Sequence, residues 1–237
     1  MNPKVTAIVL AGGKGSRMHS ETPKQYLPLL GKPVLFYSLS AFEQSKADEI
    51  ILVTAAGEEA YCQKEIVEKY GIRKVTKIVS GGAERYHSVY QGLLAAEGAD
   101  YVLIHDGARP LISVSVIDAS INKVKETGAC VVGMPVKDTI QIVDEDGRIA
   151  KTPFRSLTWI AQTPQCFGYK TALSSYHSAV AAEDHAITDD AMVVRKYAGA
   201  DVYMLEGGYE NIKITTPEDI AVAEGFLKKY KKVLDIS

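Results

Sequence analysis

A cluster of small and basic residues near the start of the chain has the types and spacing of a phosphate-binding loop. The residues concerned are Gly12, Gly13, Gly15, Arg17 and Lys24. They follow the apolar run Val5–Leu10, which is typical of a buried parallel strand, and such strand ends are where open α/β sheets bind ligands. Glycine has no Cβ atom, so backbone N–H groups can approach an anion closely, and the two basic side chains add positive charge. We therefore predict that this loop binds phosphate.

Two common glycine-rich nucleotide motifs do not fit this spacing. A dinucleotide-binding G-x-G-x-x-G motif that begins at Gly13 places the bulky Met18 where helix and strand must touch. A P-loop needs Gly-Lys followed by Ser or Thr, whereas the Gly-Lys pairs here are followed by Gly15 and Pro33. A nicotinamide-dependent dehydrogenase and an ordinary P-loop kinase are both excluded.

A second polar group follows the fourth apolar run, where Asp106 and Arg109 lie three residues apart. Asp106 could cap a turn and pair with Arg109, or it could bind a ribose hydroxyl, a Mg²⁺-bound water or a substrate hydroxyl. Arg109 could bind a phosphate through two hydrogen bonds. His105 ends an apolar strand, which is more typical of a hydrogen-bonded core histidine than of an acid or base.

The sequence shows no Ser-His-Asp arrangement, and its other histidines are scattered in polar surroundings. A general base is not needed if the acceptor is a phosphate monoester, because its second pKa is near 6 and its oxygen is already anionic at neutral pH. Catalysis can then depend on positioning, charge neutralisation and a metal ion.

Composition narrows the possible partners. The 237 residues carry a formal net charge of −2, so we expect neither nucleic acid nor membrane as a partner. The three cysteines, Cys62, Cys130 and Cys166, are widely spaced and indicate neither a disulfide framework nor a zinc site. No stretch approaches the roughly 20 apolar residues of a membrane span. We expect a soluble, cytoplasmic protein.

The elements that must position these residues alternate along the chain. Strand-like runs are followed by segments of helical periodicity: Val5–Leu10 then Leu35–Gln44, Ile50–Thr54 then Glu58–Tyr70, Val75–Val79 then Glu84–Ala96, Tyr101–His105 then Val114–Thr127, and finally Cys130–Val136. This alternation predicts a Rossmann-like α/β fold with a mainly parallel sheet and helices on both faces. The loops after strands one, three and four should then meet at one edge of the sheet.

An inserted β-hairpin interrupts this alternation. Thr139–Val143 and Arg148–Ala150 read as strands joined by an Asp-Gly turn. A two-stranded arm is marginally stable alone, so we predict a single domain over residues 1–237 whose arm, at about 137–160, forms a homodimer.

The last third of the chain returns to mixed helices and strands. The pattern predicts helices at Lys170–Glu183 and Asp189–Tyr197, the second capped by Thr188, strands at Asp201–Leu205 and Asn211–Ile214, and a closing helix that begins at Thr216-Pro217.

The first loop resembles that of the sugar-nucleotide-type nucleotidyltransferases, and further motifs make the resemblance more specific. These are Gly81–Arg85 with Ser88, His105–Pro110, Val136–Ile140, Ala161–Phe167, Ile187–Ala191, and Asn211–Thr215 followed by Pro217–Asp219. They occur in the order seen in the 2-C-methyl-D-erythritol 4-phosphate cytidylyltransferases, the IspD family. The resemblance covers essentially the whole chain.

The resemblance implies the transfer of CMP from CTP to 2-C-methyl-D-erythritol 4-phosphate, with release of pyrophosphate and with Mg²⁺ or another divalent cation, in non-mevalonate isoprenoid biosynthesis. It implies that CTP is bound by Ala11, Gly12, Gly13, Gly15, Gly82, Ser88 and Asp106. Arg17, Lys24 and Lys213 would stabilise charge at the α-phosphate. The acceptor phosphate would meet Asp106, Arg109, Thr139, Arg155 and Thr188, with Thr139 and Arg155 supplied by the partner subunit's arm, and Asp106 would also be a metal ligand.

Two alternatives remain open from the sequence. A ribitol-5-phosphate or other polyol-phosphate cytidylyltransferase has the same fold and mechanism, although those relatives tend to read H-D-S-V-R-P where this chain reads His-Asp-Gly-Ala-Arg-Pro at 105–110. A non-catalytic nucleotide-binding regulatory domain is a rival of another class. The presence together of Arg17, Lys24, Asp106 and Lys213 favours an enzyme.

Overall fold

The predicted alternation forms a seven-stranded sheet in the computed structural model, which describes residues 2–13, 18 and 22–234. The strands are β1 (Val5–Ala11), β2 (Pro28–Leu29), β3 (Lys32–Pro33), β4 (Glu49–Thr54), β5 (Val75–Ser80), β6 (Tyr101–Asp106), β7 (Ala129–Pro135), β8 (Ile142–Val143), β9 (Ile149–Lys151), β10 (Trp159–Gly168) and β11 (Tyr203–Glu206). The helices are α1 (Val34–Gln44), α2 (Glu59–Tyr61), α3 (Arg85–Ala95), α4 (Val114–Thr127), α5 (Tyr169–Ala181), α6 (Asp190–Ala198) and α7 (Pro217–Leu234). In this described part of the chain, no helix is both long and apolar enough to cross a membrane.

The large sheet has the strand order β11-β7-β10-β6-β1-β4-β5. All neighbouring strands are parallel except at β10, which lies between β6 and β7 and runs antiparallel to both. The sequence analysis missed β10, because four residues, Gln162-Thr163-Pro164-Gln165, interrupt its apolar pattern. The pairing register of β10 with β7 shifts between Ala161 and Gln165, in the same part of the strand as this interruption. The predicted α/β fold with a mainly parallel sheet is confirmed.

Helices cover both faces of the sheet, as predicted. Alternate residues of a strand point to opposite faces, so Val9 joins one apolar cluster and Ile8 the other. The first cluster includes side chains of α1 and α4, and the second includes side chains of α3, α5 and α6. The sheet between them is therefore a rigid base for the loops at its edge.

Two local predictions were wrong in detail. The predicted helix Glu58–Tyr70 is a short α-helix, α2, continued by a π-helix over Cys62–Glu68. The cap of α6 is Asp189, whose carboxylate accepts a hydrogen bond from the Met192 amide at 2.8 Å, and not Thr188. An ionised carboxylate is the stronger acceptor at a helix N-terminus.

Asn211–Ile214 is not a strand, which corrects a further prediction. Its backbone bonds go to separate loops: the Ile214 amide donates to the Ala108 carbonyl at 2.8 Å, and the Asn211 amide donates to the Gly208 carbonyl at 3.1 Å. These contacts replace the regular ladder of a strand, and they attach the segment to the end of β6.

The predicted hairpin is present as β8 and β9, which pair antiparallel around a turn at Asp144–Gly147. Phe154 and Leu157, which follow β9, are each 79% exposed. Other exposed apolar residues of the arm are Ile140, Ile142, Val143, Ile149 and Ile160. The arm therefore carries several exposed apolar side chains within one segment, as expected of a segment that binds another surface.

Gly92 should be intolerant of any side chain, because α3 crosses β1 closely at this residue. A Cβ atom there would lie 2.4 Å from Ile8 Cγ2 and 3.1 Å from Val53 Cγ2. We expect Gly92→Ala to lower the free energy of unfolding by about 1–3 kcal/mol, measured by urea denaturation.

The matched control is Gly225→Ala in α7, where the added Cβ meets no atom within 4 Å. Helix propensity alone should make that variant more stable by up to ~1 kcal/mol. Equal effects of the two substitutions would contradict the close crossing of α3 and β1.

Candidate active site

The carboxyl ends of four parallel strands surround a cavity of about 860 Å³. The residues that line it come from the ends of β1, β4, β5 and β6, from the Lys24 segment and from the segment after β11. Among them are Ala11, Gly12, Gly13, Lys24, Gly82, Ser88, Asp106 and Lys213. The structure thus brings together eight of the residues singled out in the sequence. Gly15 and Arg17 lie outside the described residues.

Close packing explains the glycines on two walls of the cavity. A Cβ atom at Gly12 would lie 3.0 Å from the Thr54 carbonyl oxygen. A Cβ atom at Gly82 would lie 2.4 Å from His87 Cβ, within the first turn of α3. Gly13 has open space around its Cα, so a side chain there would project into the region that a ligand must enter.

Lys24 is positioned by its neighbour Gln25, a role that the sequence analysis missed. The segment Lys24–Tyr26 forms a turn of 3₁₀ helix. Gln25 is buried, and its Nε2 donates a hydrogen bond to the Ala11 carbonyl at 2.6 Å. This bond joins the lysine segment to the end of β1, so Lys24 and the first glycine loop share one wall.

Asp106 lies at the centre of a cluster of charged side chains. Its buried carboxylate lies 2.7 Å from Lys213 Nζ, 3.2 Å from Arg85 Nε and 4.0 Å from Arg109 Nε. Burial alone would raise the pKa of Asp106, but the charges of Arg85, Lys213 and Arg109 outweigh it and hold the pKa well below its usual range. The group is therefore ionised throughout the physiological pH range.

Arg85 and Asp190 form an ion pair that the sequence analysis did not assign. Arg85 Nη1 and Nη2 donate to the two carboxylate oxygens of Asp190 at 2.7 and 2.8 Å, and Tyr176 donates its hydroxyl proton to the same carboxylate. Asp190 is completely buried. Two features of the sequence could have indicated this pair. An arginine follows the Gly81-Gly82 loop, and two aspartates stand in succession at 189 and 190, of which only one can cap α6.

A buried polar network supports the floor of the site. Thr163 Oγ1 accepts a hydrogen bond from the Asp106 amide at 3.2 Å and lies 3.0 Å from His105 Nδ1. His105 Nε2 lies 3.3 Å from the Arg109 carbonyl oxygen. Asn211 Nδ2 donates to the Thr163 carbonyl at 2.9 Å. These bonds fix the end of β6, and they confirm that His105 is a hydrogen-bonded core histidine.

Arg109 lies behind Asp106 and is not among the residues that line the cavity. It is largely buried, and its Nη1 donates to the Asn211 carbonyl at 2.7 Å. The structure therefore shows the turn arrangement, in which Arg109 faces Asp106 and anchors the Lys213 segment.

Three predicted acceptor-binding residues lie away from the cavity of their own chain. Thr139 and Arg155 are exposed on the arm. Thr188 is exposed in the loop before α6, where its hydroxyl lies 3.8 Å from Met192 Sδ. None of the three is brought to the cavity within one chain.

The donors present suit a divalent cation that also binds phosphate. Among residues 2–13, 18 and 22–234, no group of three His, Cys, Asp or Glu side chains is arranged to hold a metal ion. Mg²⁺ at nucleotide sites commonly takes one or two carboxylates and completes its shell with phosphate oxygens and water. The ionised Asp106 at the cavity wall fits this mode.

His105 should remain uncharged well below neutral pH. Burial is the main cause that lowers its pKa to about 4; the charge of Asp106 opposes the shift and the charge of Arg109 adds to it. In the unfolded chain its pKa is about 6.5, so that state binds more protons between these values and stability falls as the pH drops through this range. We expect the His105 Cε1–H resonance to show no titration between pH 8 and about pH 5 in NMR spectra recorded without nucleotide.

A His105 resonance that titrates between pH 8 and about pH 5 would contradict the buried, neutral imidazole.

Comparison with known proteins identifies the family. Residues 5–229 match the family model "IspD: 2-C-methyl-D-erythritol 4-phosphate cytidylyltransferase". The enzyme of that name from Lachnoclostridium phytofermentans is 48% identical over 96% of this chain and 98% of its own length, and that from Lachnospira eligens is 49% identical over 94% and 99%. The crystal structure of 4-diphosphocytidyl-2C-methyl-D-erythritol synthase from Anaerococcus prevotii superposes with a TM-score of 0.84 at 33% identity, covering 95% of this chain and 96% of that one. The chain therefore belongs to the IspD family, the cytidylyltransferases of the non-mevalonate isoprenoid pathway.

Proposed function

We propose that this chain transfers CMP from CTP to 2-C-methyl-D-erythritol 4-phosphate. The observation that carries the proposal is the cavity itself, in which Gly12, Lys24, Asp106 and Lys213 meet at the carboxyl edge of the sheet. Glycine backbone and lysine charge suit a triphosphate, while the anionic Asp106 suits a hydroxyl or a metal ion. Family membership supplies the identity of the two substrates.

The reaction requires little proton transfer. An oxygen of the acceptor phosphate attacks the α-phosphorus of CTP, a new P–O bond forms, and the bond to the β-phosphate oxygen breaks so that pyrophosphate leaves. The attacking oxygen is already anionic at neutral pH, so no side chain needs to act as a base. The neutral, buried His105 agrees with this requirement.

Charge stabilisation is assigned to the lysines. Lys24 and Lys213 line the cavity, and Arg17 belongs to the same first loop by sequence. Negative charge grows on the oxygens around phosphorus in the transition state, and fixed cations nearby stabilise it. Lys213 is held at 2.7 Å from Asp106, so its ammonium group is already in position before the substrates bind.

The base and sugar of CTP are assigned to the opposite wall. Ser88 Oγ accepts a hydrogen bond from the Gly82 amide at 3.1 Å and lies 3.2 Å from the Glu84 carbonyl oxygen. These two bonds fix the loop between β5 and α3, so its backbone groups can read the edge of a cytosine. Asp106 faces the same cavity and suits the ribose.

A divalent cation, Mg²⁺ in the first instance, fits at Asp106 together with phosphate oxygens of CTP. When bound, it supplies positive charge to the triphosphate and makes the α-phosphorus more electrophilic.

The arm is assigned to a homodimer. Its exposed apolar residues need a covering surface, and Thr139 and Arg155 do not line the cavity of their own chain. We infer that each arm binds across the partner and presents these two residues to the partner's acceptor site. The three cysteines are unpaired thiols, which agrees with a cytoplasmic location.

Turnover assays test the function directly. Purified protein is incubated with CTP, Mg²⁺ and either 2-C-methyl-D-erythritol 4-phosphate or ribitol 5-phosphate, and pyrophosphate release is measured. We expect turnover with the first acceptor. Turnover with ribitol 5-phosphate alone would establish the polyol-phosphate alternative, and CTP binding without turnover of either acceptor would establish the regulatory one.

The lysine assignment predicts large losses of rate. Removing one transition-state cation costs about 2.7–4 kcal/mol, so Lys24→Ala and Lys213→Ala should each lower kcat by roughly 100- to 1,000-fold in steady-state assays. The control is Lys228→Ala, which removes an exposed lysine paired with Glu224 on α7. Near-normal kcat in both active-site variants would refute the assignment.

The shared site predicts complementation between two inactive variants. In a mixture of Lys24→Ala and Arg155→Ala subunits, each heterodimer has one cavity with both an intact Lys24 and an intact partner Arg155. Random exchange of subunits makes half of the dimers mixed. Since only one of the two cavities in each mixed dimer is intact, about a quarter of wild-type activity should return. Confirmed heterodimers without any gain in activity would show that Arg155 acts within its own chain.

A further inference from the structure

We propose that Arg85 is a positioning residue for the transfer reaction, oriented by Asp190 so that its guanidinium holds the Asp106 carboxylate in a fixed orientation. The inference rests on the proposed cytidylyltransfer activity, and it assigns a function to an ion pair in which Asp190 is buried and Arg85 lines the cavity.

The geometry uses every nitrogen of the guanidinium. Nη1 and Nη2 donate to Asp190, and the remaining Nε donates to Asp106 Oδ1 at 3.2 Å. The two hydrogen bonds to Asp190 fix the plane of the guanidinium group. A planar pair of donors of this kind is available to arginine but not to lysine. Arg85 thus presents a single, pre-aligned donor to Asp106.

Asp190 cannot release Arg85 without leaving a buried charge unpaired. Its side chain is completely inaccessible, and its described partners are Arg85 and the hydroxyl group of Tyr176. Removal of one partner from a buried ion pair is strongly unfavourable. The orientation of Arg85 is therefore set by the interior of the protein and does not depend on a ligand.

Both oxygens of Asp106 are constrained as a result. Oδ1 faces Arg85 while Oδ2 faces Lys213 at 2.7 Å, with Arg109 Nε at 4.0 Å. Without Arg85 the carboxylate could rotate toward Lys213 and Arg109. The lysine would then be drawn away from the position in which it can meet a phosphate.

The ion pair also joins three parts of the site. Arg85 is the first residue of α3 and directly follows the Gly81–Glu84 loop, Asp190 is the first residue of α6 and follows the cap Asp189, and Asp106 ends β6. The loop assigned to the base, the start of α6 and the end of β6 therefore meet at one guanidinium. A misplacement at this point shifts the reactants relative to each other.

A positioning role predicts loss of rate with little loss of binding. A displacement of about 1 Å at a reacting centre can lower the rate by about 100-fold, so we expect Arg85→Gln to reduce kcat by roughly that factor. The Kd for CTP, measured by calorimetry without acceptor, should change by less than about threefold, because all three guanidinium nitrogens of Arg85 already donate to Asp106 and Asp190. Arg85→Lys should keep the charge but recover little of the rate.

A double-mutant cycle tests whether Asp190 acts through Arg85. Asp190→Asn alone should lower kcat, but in the Arg85→Gln background it should have no further effect on kcat. Arg73→Gln is the control, because it makes the same substitution at an exposed arginine that precedes β5. It should leave kcat unchanged.

The outcomes separate this inference from the function on which it rests. Absence of turnover by the wild-type protein would overturn the proposed function. Wild-type turnover combined with a normal kcat for Arg85→Gln, or with independent effects of the two substitutions, would overturn the positioning role alone. If Arg85→Gln fails to fold, the Arg85→Lys and Asp190→Asn pair supplies the same cycle.

Discussion

The arrangement of the site depends on one carboxylate, Asp106, held at the end of β6 among three cations. A buried charge is tolerated only when it is paired, so the surrounding structure must bring those cations to it. Each arrives on a different element: Arg85 on α3, Arg109 on the turn after β6 and Lys213 on the segment after β11. The charged centre therefore forms only when these elements fold together. The glycine walls and the Lys24 segment complete a cavity around a centre that is already assembled.

The sequence predicted what depends on local pattern. Apolar periodicity located the parallel strands and the helices on both faces, and the rule that strand ends carry ligands placed Gly12, Gly82 and Asp106 at one edge. The role of Asp106 stayed open between a turn and a site, and the structure shows the turn with the side chain at the cavity. Its backbone carbonyl accepts the turn bond from the Arg109 amide, while its side chain faces the cavity.

What the sequence could not predict depends on contacts between distant residues. The strand β10 has no alternating pattern, because Gln162 and Thr163 are buried polar residues whose partners lie far away in the chain. Asn211 reads as part of a strand by composition, yet its side chain binds the Thr163 carbonyl and no ladder forms. Arg85 and Asp190 are 105 positions apart, and neither residue type identifies the other. Buried polar side chains satisfy their hydrogen bonds wherever the fold places partners, and short-range periodicity does not record this.

The antiparallel direction of β10 has a consequence for the arm. The strand β7 ends at the carboxyl edge of the sheet, and β10 begins at the same edge because it runs the opposite way. The chain between them can leave and re-enter the sheet beside the cavity without crossing either face. Insertions or deletions in the arm would then change its length while every register within the sheet stays intact. The topology separates the length of the arm from the architecture of the sheet edge that carries the cavity, so the two can diverge independently among related sequences.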